Sequence, residues 1–202
     1  MRVIAGIYRS RILKTLKGPA LRPTTDRLRE TLFNVLAPVI SGARFVDVFA
    51  GTGAVGIEAL SRGAEEVVFI EHHASTAALI LKNLQSLEIR AGATIIPLDA
   101  LRGLEKLDAA SPKPATRLEI VFLDPPYAAT ENYARVLSFL STARFLSEGS
   151  IVIAEHRHNF EFPEQLGNLQ RVRILKQGDA CLTFFRRVAL DPSRDFSQAR
   201  KP

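Results

Sequence analysis

The chain has 202 residues, 47% hydrophobic and 24% charged, with a net charge of +6. This suits one domain with a full hydrophobic core and a small extension, in a soluble globular protein. No apolar run reaches the ~18 residues of a membrane span, no signal-peptide pattern opens the chain, and Cys181 has no disulfide partner, so the cytoplasm is the expected compartment.

Charge is uneven along the chain. Residues 1–29 hold eight basic side chains against Asp26, residues 186–202 hold five against two acidic ones, and the remaining 30–185 sum to −4. A mildly acidic body with a basic arm is a footprint of polyanion binding, although basic surfaces also serve solubility alone.

Residues 2–8 and 11–16 read as two short strands around the basic turn Arg9-Ser10-Arg11, a hairpin extension over 1–20. A helix follows from Thr24 or Thr25, with a threonine cap and Asp26 in its first turn. Its apolar stripe is Leu28, Leu32, Val35, Leu36 and Val39, ending near Pro38 or Ser41-Gly42. With Leu28 turned to the core, Arg27, Glu30 and Asn34 share one flank.

From residue 44 strands and helices alternate. Strands are expected at 44–49, 66–71, 93–98, 118–124 and 150–155, with helices at about 54–62, 74–87, 100–108 and 131–143. Near-continuous apolar strands separated by helices imply a parallel sheet covered on both faces. Strands at 170–177 and 180–187, joined by Gly178-Asp179, add an antiparallel hairpin at its edge. The segment after Pro163 is short for a sheet-crossing helix, so the surface near 157–170 is expected to be irregular. The domain spans 21–187, and 188–202 reads as a disordered tail.

The first strand runs through Asp47, Phe49 and Ala50 into Gly51-Thr52-Gly53 and on to Gly56, the spacing G-x-G-x-x-G at the start of a helix. Small residues let a ligand approach the backbone, and a helix start offers free amides. A dinucleotide and a methyl-donor nucleoside both remain open at this point, since Glu71, twenty residues after Gly51, could accept from ribose hydroxyls of either. Asp47 can reach an ammonium or hold the loop amides, and Asp99 with Ala100 ends the third strand where an adenine amine would lie. Three acids suit a cationic ligand without phosphates. His72 adjoins Glu71 and falls at the adenine pocket by position.

Asp124-Pro125-Pro126-Tyr127 follows the fourth parallel strand. The lone pair of an exocyclic base amine is delocalised into its ring. Acceptors at the Asp124 side chain and the Pro125 carbonyl would localise it and aim it at a methyl group, while the prolines stiffen the turn and Tyr127 stacks on the base. His72-His73 and His156-x-His158 lack clustered carboxylates, so no metal is expected. Phe160 and Phe162 read as packing.

These motifs resemble class I S-adenosylmethionine-dependent methyltransferases acting on amines. The stretch Leu21 to Leu36, with the N-terminal Arg-Val-Ile-Ala-Gly and Arg-Ser-Arg segments, is similar specifically to the bacterial RsmD family of 16S ribosomal RNA guanine-N2 methyltransferases, over roughly residues 1–187. The resemblance implies a Rossmann-like fold, a mostly parallel seven-stranded sheet with an antiparallel C-terminal hairpin. It implies S-adenosylmethionine held by Asp47, the Phe49–Gly53 loop, Glu71, His72, Asp99 and Ala100, and a guanine amine held by Asp124 to Tyr127. The expected substrate is guanine 966 of 16S RNA in the assembled or assembling small subunit. Arg2, Arg9, Arg11, Arg22, Thr24, Arg27 and Arg29 are candidates for the RNA, and a monomer is expected.

The competing readings are a DNA adenine-N6 methyltransferase, for which 202 residues leave no separate recognition domain, and a non-catalytic RNA-binding assembly factor, which has no need of the intact Asp124 and glycine loop. A protein or small-molecule N-methyltransferase does not need the basic arm, and a dehydrogenase has no role for Asp-Pro-Pro-Tyr.

Overall fold

A computed structural model describes residues 1–15, 25–111, 118–126 and 131–189. Among the described residues five helices and eight strands follow in chain order: α1 (Asp26–Leu36), β1 (Arg44–Asp47), α2 (Ala54–Ser61), β2 (Glu66–Ile70), α3 (Ala74–Ser86), β3 (Ala93–Ile96), α4 (Ala100–Ala110), β4 (Glu119–Leu123), α5 (Glu131–Thr142), β5 (Ile151–Arg157), β6 (Gln165–Leu166), β7 (Leu169–Gln177) and β8 (Ala180–Arg187). They form one sheet in the order β3-β2-β1-β4-β5-β8-β7-β6. The first five strands are parallel, and β6 to β8 are antiparallel. No helix among the described residues is long and apolar enough to cross a membrane.

The parallel strands inside the sheet are buried on both faces, which explains their apolar runs, while the edge strand β3 exposes Thr94. One face packs Phe45, Phe69, Ile120, Phe122 and Ile153 against apolar residues of α1, α2 and α3. The other packs Val46, Val68, Val121, Val152 and Ala154 against α4 and α5. The order reverses between β1 and β4, since β2 and β3 extend one way and β5 the other. Ligands in open parallel sheets bind outside the carboxyl ends of the strands at such a switch point.

Thr25 is the cap of α1, its hydroxyl accepting from the Leu28 amide. The alternative cap, Thr24, lies outside the described residues, as do Arg22, Tyr127 and most of the C-terminal tail.

Two expectations need correction. The sheet has eight strands rather than seven, because after Phe162 the chain turns back as the two-residue β6 on β7 instead of crossing the sheet. The N-terminal arm is not a regular hairpin: its ladder is a single antiparallel bridge, Arg2 to Ile12. Ile4 and Ala5 donate their amides to the Glu58 carboxylate, and Ile7 and Tyr8 donate to the Ser61 carbonyl and hydroxyl. Amides given to α2 cannot also serve a partner strand.

Candidate active site

The carboxyl ends of β1, β2 and β4 gather most of the residues that the sequence singles out. At the end of β1 the chain turns through Gly51 (φ +53°) and Gly53 (φ +77°) into α2. The glycines differ in purpose. A Cβ on Gly56 would sit 2.3 Å from the Phe69 ring, so that position serves close packing of helix on strand, as in other glycine-turn nucleotide sites. A Cβ on Gly51 would meet nothing nearer than the Phe49 carbonyl at 3.9 Å, so its outer face is open.

Asp47 is 2% exposed and takes the second of its two expected places: its Oδ2 accepts from the Gly56 amide at 3.0 Å. Burial pushes its carboxyl up to about 7; the Gly56 bond opposes this and the nearby Glu71 carboxylate adds to it.

Glu71, just past β2, is buried and braces the turn. One oxygen accepts from the Gly51 amide at 3.0 Å and the other from the His73 amide at 2.8 Å. His72 is exposed, with Nδ1 3.5 Å from Glu71. Glu71, His72 and His73 bring one donor atom each within 4.8 Å of one another, a cluster absent from the expectation of no metal. Both Glu71 oxygens there already serve backbone amides.

Asp99 caps α4, accepting from the Arg102 amide at 3.2 Å, and Ala100 begins that helix. The turn from Phe49 to Gly56 carries no basic side chain. Asp99 also pairs with Arg102 at 3.6 Å, but amides, an open glycine face and the Asp47 and Glu71 carboxylates beside a turn without basic side chains suit a cationic nucleoside with ribose hydroxyls better than a pyrophosphate. The residues present therefore fit S-adenosylmethionine.

Asp124 directly follows β4 and is half-buried, Pro125 is buried and Pro126 exposed. Because β4 pairs with β1 in the register Asp47 to Phe122, Asp124 lies beside the start of the glycine turn. On its other side is β5, where Tyr133 of α5 donates its hydroxyl to the Glu155 carbonyl. Tyr133, His156, Phe160 and Phe162 form one aromatic cluster that supports this strand end. The two phenylalanines thus pack, as their sequence context suggested. His156 is buried: its Nδ1 donates to the Arg157 carbonyl and its Nε2 accepts from the Thr183 hydroxyl. Burial holds the imidazole below its ordinary pKa.

A cavity of about 540 Å³ opens next to this strand end, between Thr25 and Leu28 of α1 and the residues Glu155, Arg157, His158 and Asn159.

The basic candidates divide. Arg2, Arg9, Arg11 and Arg27 are exposed, with Arg2 4.0 Å from Asp26 and Arg11 donating to the Ser86 carbonyl. Glu30 and Asn34 are exposed beside Arg27, as the helical spacing required. Arg29 is a correction: its relative exposure is 0%, and it cannot meet a phosphate. It lies on the buried stripe with Phe33 and Leu36, donating to Asp26 and to the Arg2 carbonyl, with Glu58 3.8 Å away. Buried polar groups at Glu58, Ser61 and Asn83 were not singled out from sequence. Of these, only the Glu58–Arg62 pair at i, i+4 leaves a sequence signal.

A family model described as Conserved hypothetical protein 95 matches residues 1–186. The ribosomal RNA small subunit methyltransferase D of Haemophilus influenzae is 38% identical over 157 residues, covering 77% of this chain and 78% of that protein. The protein of the same name from Escherichia coli is 43% identical over 127 residues, covering 63% of this chain and 60% of that protein. The solved structure of the E. coli protein yhhF is similar with a TM-score of 0.79 at 34% identity, covering 94% of this chain and 99% of that one. An RNA methyltransferase from Salinibacter ruber, solved with S-adenosyl-L-homocysteine, is similar in fold alone, at 13% identity and a TM-score of 0.57 over 85% of this chain and 97% of that one.

Proposed function

Because this chain belongs to the family described as Conserved hypothetical protein 95, that of the ribosomal RNA small subunit methyltransferase D proteins, we propose that it methylates the exocyclic N2 of guanine 966 in 16S ribosomal RNA. The single observation that supports the reading is the adjacency of two strand ends. The open glycine turn after β1 lies beside Asp124 after β4, at the switch point of the sheet.

Bound S-adenosylmethionine supplies an electrophilic methyl group on a sulfonium centre. In this proposal Gly51 to Gly53 offer backbone to it, Glu71 accepts from its ribose through the lone pairs that the Gly51 and His73 amides leave, and Asp99, Ala100 and His72 border its adenine. Asp47 acts indirectly, by holding the start of α2 through Gly56. The Asp124 carboxylate and the Pro125 carbonyl accept the two N2 hydrogens and hold the lone pair in line with the methyl carbon. That pair forms the new C–N bond as the C–S bond breaks onto sulfur, and one N–H proton then passes to water. Pro126 stiffens the turn. Tyr127, outside the described residues, is proposed to stack on the extruded base.

Arg2, Arg9, Arg11 and Arg27, with Arg22 and Thr24 outside the described residues, are proposed to meet the RNA backbone, which makes affinity strongly salt-dependent. The proposed setting is the cytoplasm, on an assembled or assembling small subunit, with the enzyme as a monomer.

The test is methyl transfer from labelled S-adenosylmethionine to naked 16S RNA, assembled small subunits and duplex DNA, followed by mapping of the modified base. Label confined to DNA or to protein overturns the reading. Asp124→Ala is expected to abolish turnover while cofactor affinity stays within a few-fold; equal loss of both refutes the assignment of that residue.

A further inference from the structure

We infer that Glu155 is a specificity-determining residue, whose carboxylate accepts the N1–H of the target guanine and rejects adenine. This deepens the function proposed above and rests on it.

Strand β5 pairs with β4 in parallel, Ile120 to Ile151, Phe122 to Ile153 and Leu123 to Ala154. One further step along that register sets Glu155 alongside Asp124. Side chains alternate across a strand, so residues two apart share a face. Ile120 and Phe122 belong to the core on the α1 side of the sheet, and so do Ile151 and Ile153. Asp124 and Glu155 therefore project to that same side from adjacent strands, about 4.8 Å apart in backbone.

Glu155 is only 4% exposed, yet it lines the cavity under the first turn of α1. The cavity falls within the range of about 300–1,000 Å³ usual for small-ligand sites. Glu155 lines that cavity and Asp124 ends the neighbouring strand, so the two carboxylates make a row of acceptors across adjacent strand ends. The donors of guanine form a matching row, because N1–H and the N2 amine share the carbon C2 and face one edge of the ring. With Asp124 on the amine, Glu155 is the neighbouring acceptor for N1–H. In adenine, N1 carries a lone pair instead, which would face a carboxylate. A site that hydrogen-bonds a buried substrate donor discriminates strongly against analogues lacking it.

The test uses 16S RNA carrying either guanosine or 2-aminopurine ribonucleoside at the target position. 2-Aminopurine keeps the methyl-accepting N2 amine but has a bare N1. The wild-type enzyme is expected to prefer guanosine by roughly 10²-fold or more in kcat/KM. Glu155→Gln presents an amide NH2 that can donate to the bare N1. Its Oε1 still accepts from the N1–H of guanosine, as a weaker neutral acceptor, so kcat/KM is expected to fall for guanosine and to be unchanged or higher for 2-aminopurine, and the preference narrows at least tenfold. The missing O6 of 2-aminopurine is common to both enzymes and cancels in the comparison.

Binding of S-adenosyl-L-homocysteine to Glu155→Gln reports whether the variant is folded. A folded variant that loses both substrates in equal proportion, or keeps the wild-type preference, overturns the inference. If the Gln variant does not fold, Glu155→Asp, which keeps the acceptor at shorter reach, is compared in the same way. An undiminished guanosine rate with Asp and an unaltered preference then count against the inference. Failure of the wild-type enzyme to methylate the guanosine RNA at all instead refutes the underlying function.

Discussion

Replacing Asp47 by Asn should stabilise the protein at pH 8 and leave it unchanged near pH 4. The Asp47 carboxyl is raised from 3.8 to about 7, chiefly by burial. A folded-state value above the unfolded one means that the native state favours the protonated form. Its stabilising contribution is complete below about pH 4 and is lost as pH rises through about 7. A tenfold change in acidity corresponds to about 1.4 kcal/mol, so the ionised carboxylate reduces stability at pH 8 by about 4 kcal/mol. Asn is close in shape to the protonated acid, and its Oδ1 can still accept from Gly56. The assay is urea unfolding of both proteins at half-unit steps from pH 4 to 8.5. His156 titrates in the opposite sense, its neutral form favouring the fold above its ordinary 6.5 and losing that contribution as pH falls. Because His156 is common to both proteins, it drops out of the difference. A difference that is flat with pH, or an Asn variant weaker at pH 8, would refute the reasoning.

The two glycines of the turn should fail in different ways. Gly56→Ala drives a Cβ into Phe69 and should lower stability by about 1–3 kcal/mol. Gly51→Ala should lower it by only about 1–2 kcal/mol, through its positive φ, while weakening S-adenosylmethionine at least tenfold in calorimetric titration; normal binding by this variant would mean that the open face carries no ligand. Glu58→Ala should destabilise by about 3–5 kcal/mol, because it leaves buried Arg29 with Asp26 alone, takes the carboxylate from half-buried Arg62 and removes the acceptor of the Ile4 and Ala5 amides. Hydrogen exchange at Ile4 and Ala5 should quicken, and unchanged protection would refute this anchoring.

The alternating domain was legible because its signals are local. Apolar runs at 120–123 and 151–154 are buried on both faces, and Pro38 stops α1 within the segment that its stripe predicted. The glycine turn and Asp124 were legible because each comes within a few residues of a strand end, although β1 stops at Asp47 where the sequence suggested 49. The N-terminal arm was misread for the opposite reason. Alternating residues at 2–8 match a strand, but their amides pair with Glu58 and Ser61, more than fifty residues away, and sequence spacing does not reveal such a contact. Arg29 shows a signal that was present but overruled by residue type. It sits four residues before Phe33 and seven before Leu36, on the buried stripe, and its charge suggested a surface role that the stripe contradicts. Glu155 ends an apolar strand and looks incidental until the β4–β5 register sets it beside Asp124.

The basic arm and the cofactor turn are joined by one buried side chain, and this bears on how the substrate is held. The Asn83 amide of α3 donates to both the Lys14 carbonyl and the Thr52 carbonyl, and its oxygen accepts from the Lys14 amide. Glu58 and Ser61 of α2 hold the other limb of the same arm. The arm is therefore fixed to the two helices that leave the carboxyl ends of β1 and β2, and it does not behave as a loose basic tail. Its exposed groups, Arg9 and Arg11 with the outward Ile7 and Ile12, keep a set position relative to the glycine turn. A loose cationic tail raises affinity for any polyanion, whereas a fixed one also favours a particular approach of the RNA strand. Under the proposed function the arm would select the orientation of the RNA, and the proposed row of acceptors at Asp124 and Glu155 would select the base.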